Sequence, residues 1–511
     1  MIPKESPVQL KRVLSLGDLV LFGITFVGPT APFPVFGIVS SISRGHMALA
    51  YLIGMAAMLL TALSYARMAE AFPVAGSAYS YARRTLHPLA GFLTGWLMLL
   101  DYSLIPLMSV IYGALTATRF VPEVPYGVWL VVFGLAITLM NWFGLKVTNR
   151  ANFVMTAIMG VVVAYFVSAA IMALRAGAGT GGLFSTKPFY NPDQFSVGAV
   201  MAGTSIGVFS YLGFDGISTL AEDAHTPTRD IGRATVLVCL LSAAIFILQA
   251  YPGQLLWPDF TSYPRVETAF LDVSRRAGGA ALLSAVSLVL LVACVASAVT
   301  GQASASRLLF GMSRDGLLPP RVFAYIHPKY STPTYGVLAV GVVTILGGFF
   351  LSFQLAAEAV NFGALLGFMA VNLSVISHCF VRGRERARGF FRNFALPLAG
   401  FTVCFYIFAN LSTTAKTIGA SWSVAALLYA AFLTGGFKRR LAKALSGPGG
   451  RSGSAQSPTS GARAATLTRV ATHHRVPAEE RPVQESRGFA RGGRPSVDRE
   501  RNIPRSDTLT G

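Results

Sequence analysis

Apolar residues in this chain come in runs of about twenty or more, separated by short polar or basic stretches. A helix of about 20 residues rising 1.5 Å per residue matches a hydrocarbon core about 30 Å thick. The pattern predicts twelve helical spans, at roughly 17–40, 46–70, 89–117, 126–145, 152–174, 196–220, 234–256, 280–309, 334–353, 358–380, 394–412 and 418–436. Two are interrupted. The first, Gly17–Ser40, contains Phe26-Val27-Gly28-Pro29-Thr30-Ala31-Pro32-Phe33-Pro34, and three prolines so close together exclude a regular helix. The sixth, Ser196–Leu220, contains Ser210-Tyr211-Leu212-Gly213-Phe214-Asp215-Gly216. Backbone freed from a helix at membrane depth is tolerated only where it lines a polar site or cavity. Broken segments at matching places in two halves point to a transporter binding site.

Composition strengthens this reading. Only 13% of residues are charged and 53% are hydrophobic, with a mean hydropathy of +0.56, too apolar for a soluble chain of 511 residues. The first apolar run outlasts a signal peptide and lacks a small-residue cleavage pattern, so no cleavable leader is expected. Cys239, Cys294, Cys379 and Cys404 fall in or beside apolar runs, without metal-ligand spacing, and read as small apolar residues.

The net charge of +20 does not point to nucleic acid, because it is spread over alternate loops and the C-terminal tail. Lys4, Lys11 and Arg12 precede the first span. Every second loop is then basic: Arg83-Arg84, Lys146 with Arg150, Arg229 with Arg233, Arg314 with Arg321 and Lys329, and Arg382 to Arg392, with Lys438-Arg439-Arg440 after the last span. Positive loops stay inside, so both termini are expected in the cytoplasm of a multi-pass inner-membrane protein. From about Ser446, Gly, Ser, Pro, Thr and Arg replace apolar periodicity. The expected organisation is an N-terminal segment 1–16, a twelve-helix permease domain 17–440, and a disordered basic cytoplasmic tail 441–511.

Acids within spans are scarce. Counted from Leu89, Asp101 lies roughly 18 Å deep, near the middle of the bilayer. It reads either as a cation or proton site, or as a packing carboxylate satisfied by a neighbouring Tyr or Ser. Asp215 reads either as a proton-linked gating group beside an unwound Gly213, or as a surface carboxylate at the end of its span. Glu222 and Asp223, with Arg229, Asp230 and Arg233, read as a solvated loop or a gate. Arg67 and Glu70 read as a local pair three residues apart. Phe209, Tyr211 and Phe214 flank the second break as a lid or as ordinary packing. His378 is a lone residue at a helix end. No GxxxxGK[ST], HExxH, Cys/His cluster or GxSxG occurs in a plausible context, so no ATP hydrolysis, metal, cofactor or enzymatic activity is expected.

Several ordered stretches resemble the amino acid–polyamine–organocation permease superfamily, in the pattern of its bacterial putrescine importer branch. They are Phe36-Gly37-Ile38-Val39-Ser40, Phe72 to Tyr81, Gly95-Trp96 through Asp101-Tyr102, Gly213-Phe214-Asp215 through Leu220-Ala221-Glu222-Asp223, Ser306-Arg307-Leu308-Leu309 through Arg314-Asp315-Gly316, and Asn361 to Leu365 with Val371 to Ser374. The resemblance covers residues 10–440. It implies an all-α integral membrane fold: a five-plus-five inverted repeat with discontinuous helices one and six, plus two C-terminal helices. It also implies a substrate site between the broken helices. The first break maps to Val27, Gly28, Pro29 and Thr30, the gate aromatic to Phe209, and the acid linked to protons or gating to Asp215. Two departures stand out. Pro29 removes an amide where relatives offer free amides to a carboxylate, and Pro34 replaces an acid of the putrescine branch. No lysine lies in 151–174, where some proton-coupled relatives carry one.

The expected function is a secondary active transporter importing amino acids or polyamines and other amines, with a proton as coupling ion. Val27, Gly28, Pro29, Thr30, Asp101, Tyr102, Phe209, Ser210, Gly213 and Asp215 form the expected substrate site. The expected partners are a small amine-bearing solute and the lipid bilayer, with no nucleic acid. The alternatives are a transporter-like sensor signalling through its tail, an amino acid exchanger, and, more remotely, a membrane-embedded enzyme.

Overall fold

The computed structural model describes residues 12–74, 76–351, 353–383, 389–409, 411 and 413–434; the expected tail 441–511 and the first eleven residues lie outside them. Helices dominate: α1 Leu16–Val27, α2 Phe36–Ile42, α3 Met47–Ala71, α4 Ser77–Thr85, α5 Pro88–Phe120, α6 Tyr126–Trp142, α7 Leu145–Arg175 and α8 Val197–Gly207. They continue as α9 Pro227–Leu256, α10 Ala269–Arg314, α11 Pro320–Phe323, α12 Thr334–Phe350, α13 Phe353–Val375, α14 Leu396–Ala409 and α15 Thr413–Thr434. Among the described residues there is no strand, only a single parallel bridge between Leu14 and Ala224.

Among the described residues, nine segments are long and apolar enough to cross a membrane. Leu16–Val27, Tyr126–Trp142 and Thr334–Phe350 are shorter apolar helices at the places of the first, fourth and ninth expected spans. The eighth expected span is longer than anticipated because α10 merges two helices across a kink at Gly278 and Gly279. Large apolar side chains such as Val161, Leu288, Phe350 and Phe432 are exposed on the outside, as a lipid-facing surface requires.

Local chemistry accounts for both broken spans. Ser15 caps α1: its hydroxyl accepts from the Asp18 amide, and the Asp18 carboxylate accepts from the Ser15 amide. The helix ends at Gly28, whose φ of +82° suits only glycine at low cost, and Pro29 cannot continue it. The sixth span follows the same logic. α8 gives way to a 3₁₀ turn, Val208–Tyr211, then Gly213 at φ +112°, then a second 3₁₀ stretch, Phe214–Leu220.

Hydrogen bonds sort the ends of the helices onto two faces. On one, Val13 and Leu14 donate to the Asp223 carbonyl at 2.8 and 3.0 Å, and Ser377 donates to the Thr85 carbonyl at 2.6 Å. On the other, the turn after α2 meets the loop before α8 and the end of α9. The Arg67–Glu70 pair forms as expected, at 3.5 Å. His378 lies beside Phe72 in a π-helical turn.

Candidate functional site

The first break is stitched to three neighbouring helices. The Phe26 carbonyl accepts from the Ser297 hydroxyl of α10 at 3.3 Å, and the Pro29 carbonyl accepts from Gln249 Nε2 of α9 at 2.9 Å. The Thr30 hydroxyl points to Met159 Sδ of α7 at 3.8 Å. The amide of Gly28 is taken by the Ile24 carbonyl, and Pro29 has none. The carbonyls of Gly28 and Thr30 close turns with Ala31 and Phe33. Adjacent free amides, the usual cradle for a carboxylate, are therefore lacking at Gly28–Pro29. The break is neutral, and it is ordered by its neighbours.

The second break carries the charge. Asp215 is 1% exposed, so the surface alternative is excluded. Its Oδ2 accepts from the Tyr102 hydroxyl of α5, and the backbone amides of Gly213, Asp215 and Gly216 lie close to the carboxylate, while Oδ1 is buried with no hydrogen bond of good geometry. One residue before Tyr102, Asp101 is also 1% exposed, and its Oδ1 likewise has no partner among the described residues. No Tyr or Ser hydroxyl satisfies that oxygen, as the packing alternative requires. The two carboxylates lie near enough to interact electrostatically. Leaving such oxygens bare costs energy, which any hydrogen-bond donor brought to them would offset.

Backbone geometry makes room for them. Pro106 lies one turn beyond Tyr102 in α5 and removes the donor that the Tyr102 carbonyl would take in a regular helix. Gly363 of α13 brings a backbone against α5, where a Cβ would sit 3.4 Å from the Asp101 Cβ.

Phe26 joins the two breaks. Its ring fills the notch left by the glycines of the sixth span: a Cβ on Gly213 would lie 3.0 Å from it, and one on Gly216 only 2.3 Å. It is also tilted against Tyr102 at 6.3 Å. Behind Asp215, the fully buried Tyr65 of α3 meets Phe214 and Phe368 edge-on, within electrostatic reach of both acids. Sequence reasoning missed Phe26, Tyr65, Ser297 and Gln249. Of these, only Gln249 carried a signal, as a polar residue deep in an apolar run.

The expected site residues divide. Tyr102 and Gly213 pack against Phe26, which Val27 and Gly28 follow in the chain; Asp101 and Asp215 adjoin Tyr102, and Pro29 and Thr30 are tied to α9 and α7. Ser210 turns away, its hydroxyl 3.3 Å from that of Tyr51, and Tyr211 donates to the Tyr51 carbonyl at 2.9 Å. Phe209 is half-buried, unlike Tyr211 and Phe214.

Ion pairs lie beyond one break and packed rings beyond the other. Beyond the sixth span, Asp223 is buried rather than solvated, and Arg307 Nε donates to its Oδ2 at 2.7 Å. Burial pushes its carboxyl up from the usual range, and Arg307 offsets this only in part. Glu222 accepts from Arg314 at 2.6 Å, and Asp315 pairs with Arg83 and accepts from Tyr79 at 2.7 Å. On the opposite side Phe33 stacks on Phe270 at 3.7 Å, with Phe166 and Phe36 around them. Two peripheral grooves, of about 590 and 340 Å³, lie on α15 and between α3 and α14, away from the breaks.

Known proteins are similar to this chain. The profile of the amino acid permease family matches residues 32–437. The chain is 32% identical over 440 residues to the low-affinity putrescine importer PlaP of Escherichia coli (strain K12), covering 85% of this chain and 96% of that one. It is 25% identical over 390 residues to the branched-chain amino acid permease BcaP of Bacillus subtilis (strain 168), covering 72% and 81%. Among solved structures, MhsT in complex with L-phenylalanine aligns with a TM-score of 0.52 at 17% identity, covering 79% of this chain and 99% of that one. At that identity the likeness speaks for the fold alone.

Proposed function

Because the chain belongs to the amino acid permease family, and so is a multi-pass membrane transporter rather than an enzyme, we propose that it imports a small amine-bearing solute by alternating access. The observation that carries this reading is the pair of buried carboxylate oxygens, Asp101 Oδ1 and Asp215 Oδ1, left without hydrogen bonds of good geometry beside two broken helices. An ammonium group satisfies both its own hydrogen-bonding needs and theirs. Tyr102 holds Asp215 by one oxygen and leaves the other for the solute. Val27, Gly28, Pro29 and Thr30 line the approach, while Phe209, Ser210 and Gly213 give the sixth span its bend.

The lack of adjacent free amides at Gly28–Pro29 favours an amine over a solute recognised through its carboxylate. The likeness to a putrescine importer supports the same solute class, and the likeness to a branched-chain amino acid permease keeps neutral amino acids in view. A second positive charge matches two acids, and a proton on one of them matches a monoamine, which is why we favour proton symport. We place the face carrying Arg83, Arg229 and Arg314 in the cytoplasm, with both termini, and the permease domain at 17–440 in the inner membrane.

Uptake of labelled putrescine, a monoamine and a neutral amino acid into proteoliposomes, with and without an inward proton gradient, tests this. Saturable uptake of either amine, accelerated by the gradient, is expected. Uptake of the amino acid alone would move recognition to the first break and overturn the reading.

A further inference from the structure

The α2–α3 turn contains His46, which is 0% exposed and lies apart from the carboxylates. Both of its ring nitrogens are engaged. Nδ1 is 2.8 Å from the Ser43 carbonyl, and Nε2 is 3.1 Å from the Asn191 backbone nitrogen. The partners dictate the tautomer. A carbonyl only accepts, so Nδ1 carries the proton; an amide N–H only donates, so Nε2 must be the bare acceptor. The site is built for neutral imidazole.

Its position links the outer ends of both broken spans. Ser43 closes α2, the outer half of the first span. Asn191 lies in the loop that leads to α8, the first half of the sixth. Phe195, just before the Ser196 cap of α8, meets the imidazole edge-on at 5.4 Å. A Cβ on Gly203 of α8 would sit 2.7 Å from the Ser43 Cβ, so the two half-helices touch at this point. The Met47 amide donates to Gln254 of α9 at 3.2 Å, and the Leu49 amide reaches the Pro188 carbonyl at 3.4 Å. The charged groups around the imidazole are Arg44 on its own turn, Lys187 and Asp193 in the loop, and Asp259 beyond α9. All four are exposed, and none forms an ion pair with it. The facing parts of α3, α8 and α9 contribute no charge.

We propose that His46 is a proton-sensitive pin that ties the outer ends of the two broken spans, and that protonation at Nε2 releases the loop 186–195. A proton there sets an N–H donor against the Asn191 N–H donor and removes the acceptor. The bond to Ser43 survives, so the break occurs on the loop side. Acid on this face therefore loosens the contact between α2 and α8 that closes the site from that side. None of this depends on which solute is carried.

Hydrogen exchange of the full-length protein in nanodiscs, at about pH 7.5 and about pH 5 and corrected for intrinsic rates, tests the pin. In the wild type, peptides covering 41–47 and 186–195 are expected to lose about fivefold protection in acid, the loss of one net hydrogen bond. The peptide containing Thr180, whose amide bonds the Leu255 carbonyl at 3.0 Å, should not change. His46→Gln should remove the pH dependence. No change in the wild type, a uniform change across the face, or an unaltered response in His46→Gln overturns the proposal. The wild-type comparison decides the matter even if the variant does not fold.

Discussion

The two broken spans are interrupted by different means. The first is broken by Gly28 and three prolines, and neutral hydrogen bonds from Ser297 and Gln249 hold it. The second is broken by glycine alone, and charge holds it: Asp215 to Tyr102 within, Asp223 to Arg307 at its end. Proline fixes φ and cannot readily rewind, whereas a glycine-based break can bend either way. On the proposed reading, the first break is a fixed wall and the second carries the groups that meet a cation.

The largest expected effect is at the charged end. Arg307→Leu leaves Asp223 buried and unpaired, which costs about 3–5 kcal/mol and should lower the midpoint of thermal unfolding in detergent by several degrees. An unchanged midpoint would mean that the charges do not hold the second break. Next comes Gly216→Ala, whose Cβ collides with Phe26. Overpacking of this kind costs about 1–3 kcal/mol, and adding Phe26→Leu should recover part of it. Failure of that rescue would separate the two breaks. Ser297→Ala removes one neutral bond to the Phe26 carbonyl, for about 1 kcal/mol in the same unfolding assay. Smallest is Thr30→Val, which loses only a weak contact to Met159 and should leave uptake rates within about twofold. A large loss there would make the first break a binding element rather than a wall.

Much of this was legible in the sequence. Pro29, Pro32 and Pro34 cannot lie in a helix, and Gly213 with Gly216 marked the second break, so both interruptions showed without coordinates. Asp101 and Asp215 stood out because acids in apolar spans are rare. Pairings were harder to read. Phe26 is one of 36 phenylalanines, and nothing local marks it as the ring that fills the Gly213–Gly216 notch. Tyr65 reaches the acids only through the packing of α3. Asp223 looked solvated because its neighbours are polar, yet the strand-like contact with Val13 and Leu14 buries it. Ser210 was grouped with the site by proximity in sequence, but in the 3₁₀ turn it faces Tyr51 instead.

The central claim is that an ammonium group binds at Asp101 and Asp215. Equilibrium binding of labelled putrescine and of a labelled monoamine to the purified protein, wild type against Asp215→Asn, tests it most directly. Asparagine keeps an acceptor for Tyr102, removes the charge and puts an amide NH2 donor where the oxygen offered to the ammonium stood. The account predicts that the amine bound by the wild type loses affinity by about thirtyfold or more, the cost of removing one partner from a buried charge pair. Wild-type affinity in a folded Asp215→Asn protein would contradict it.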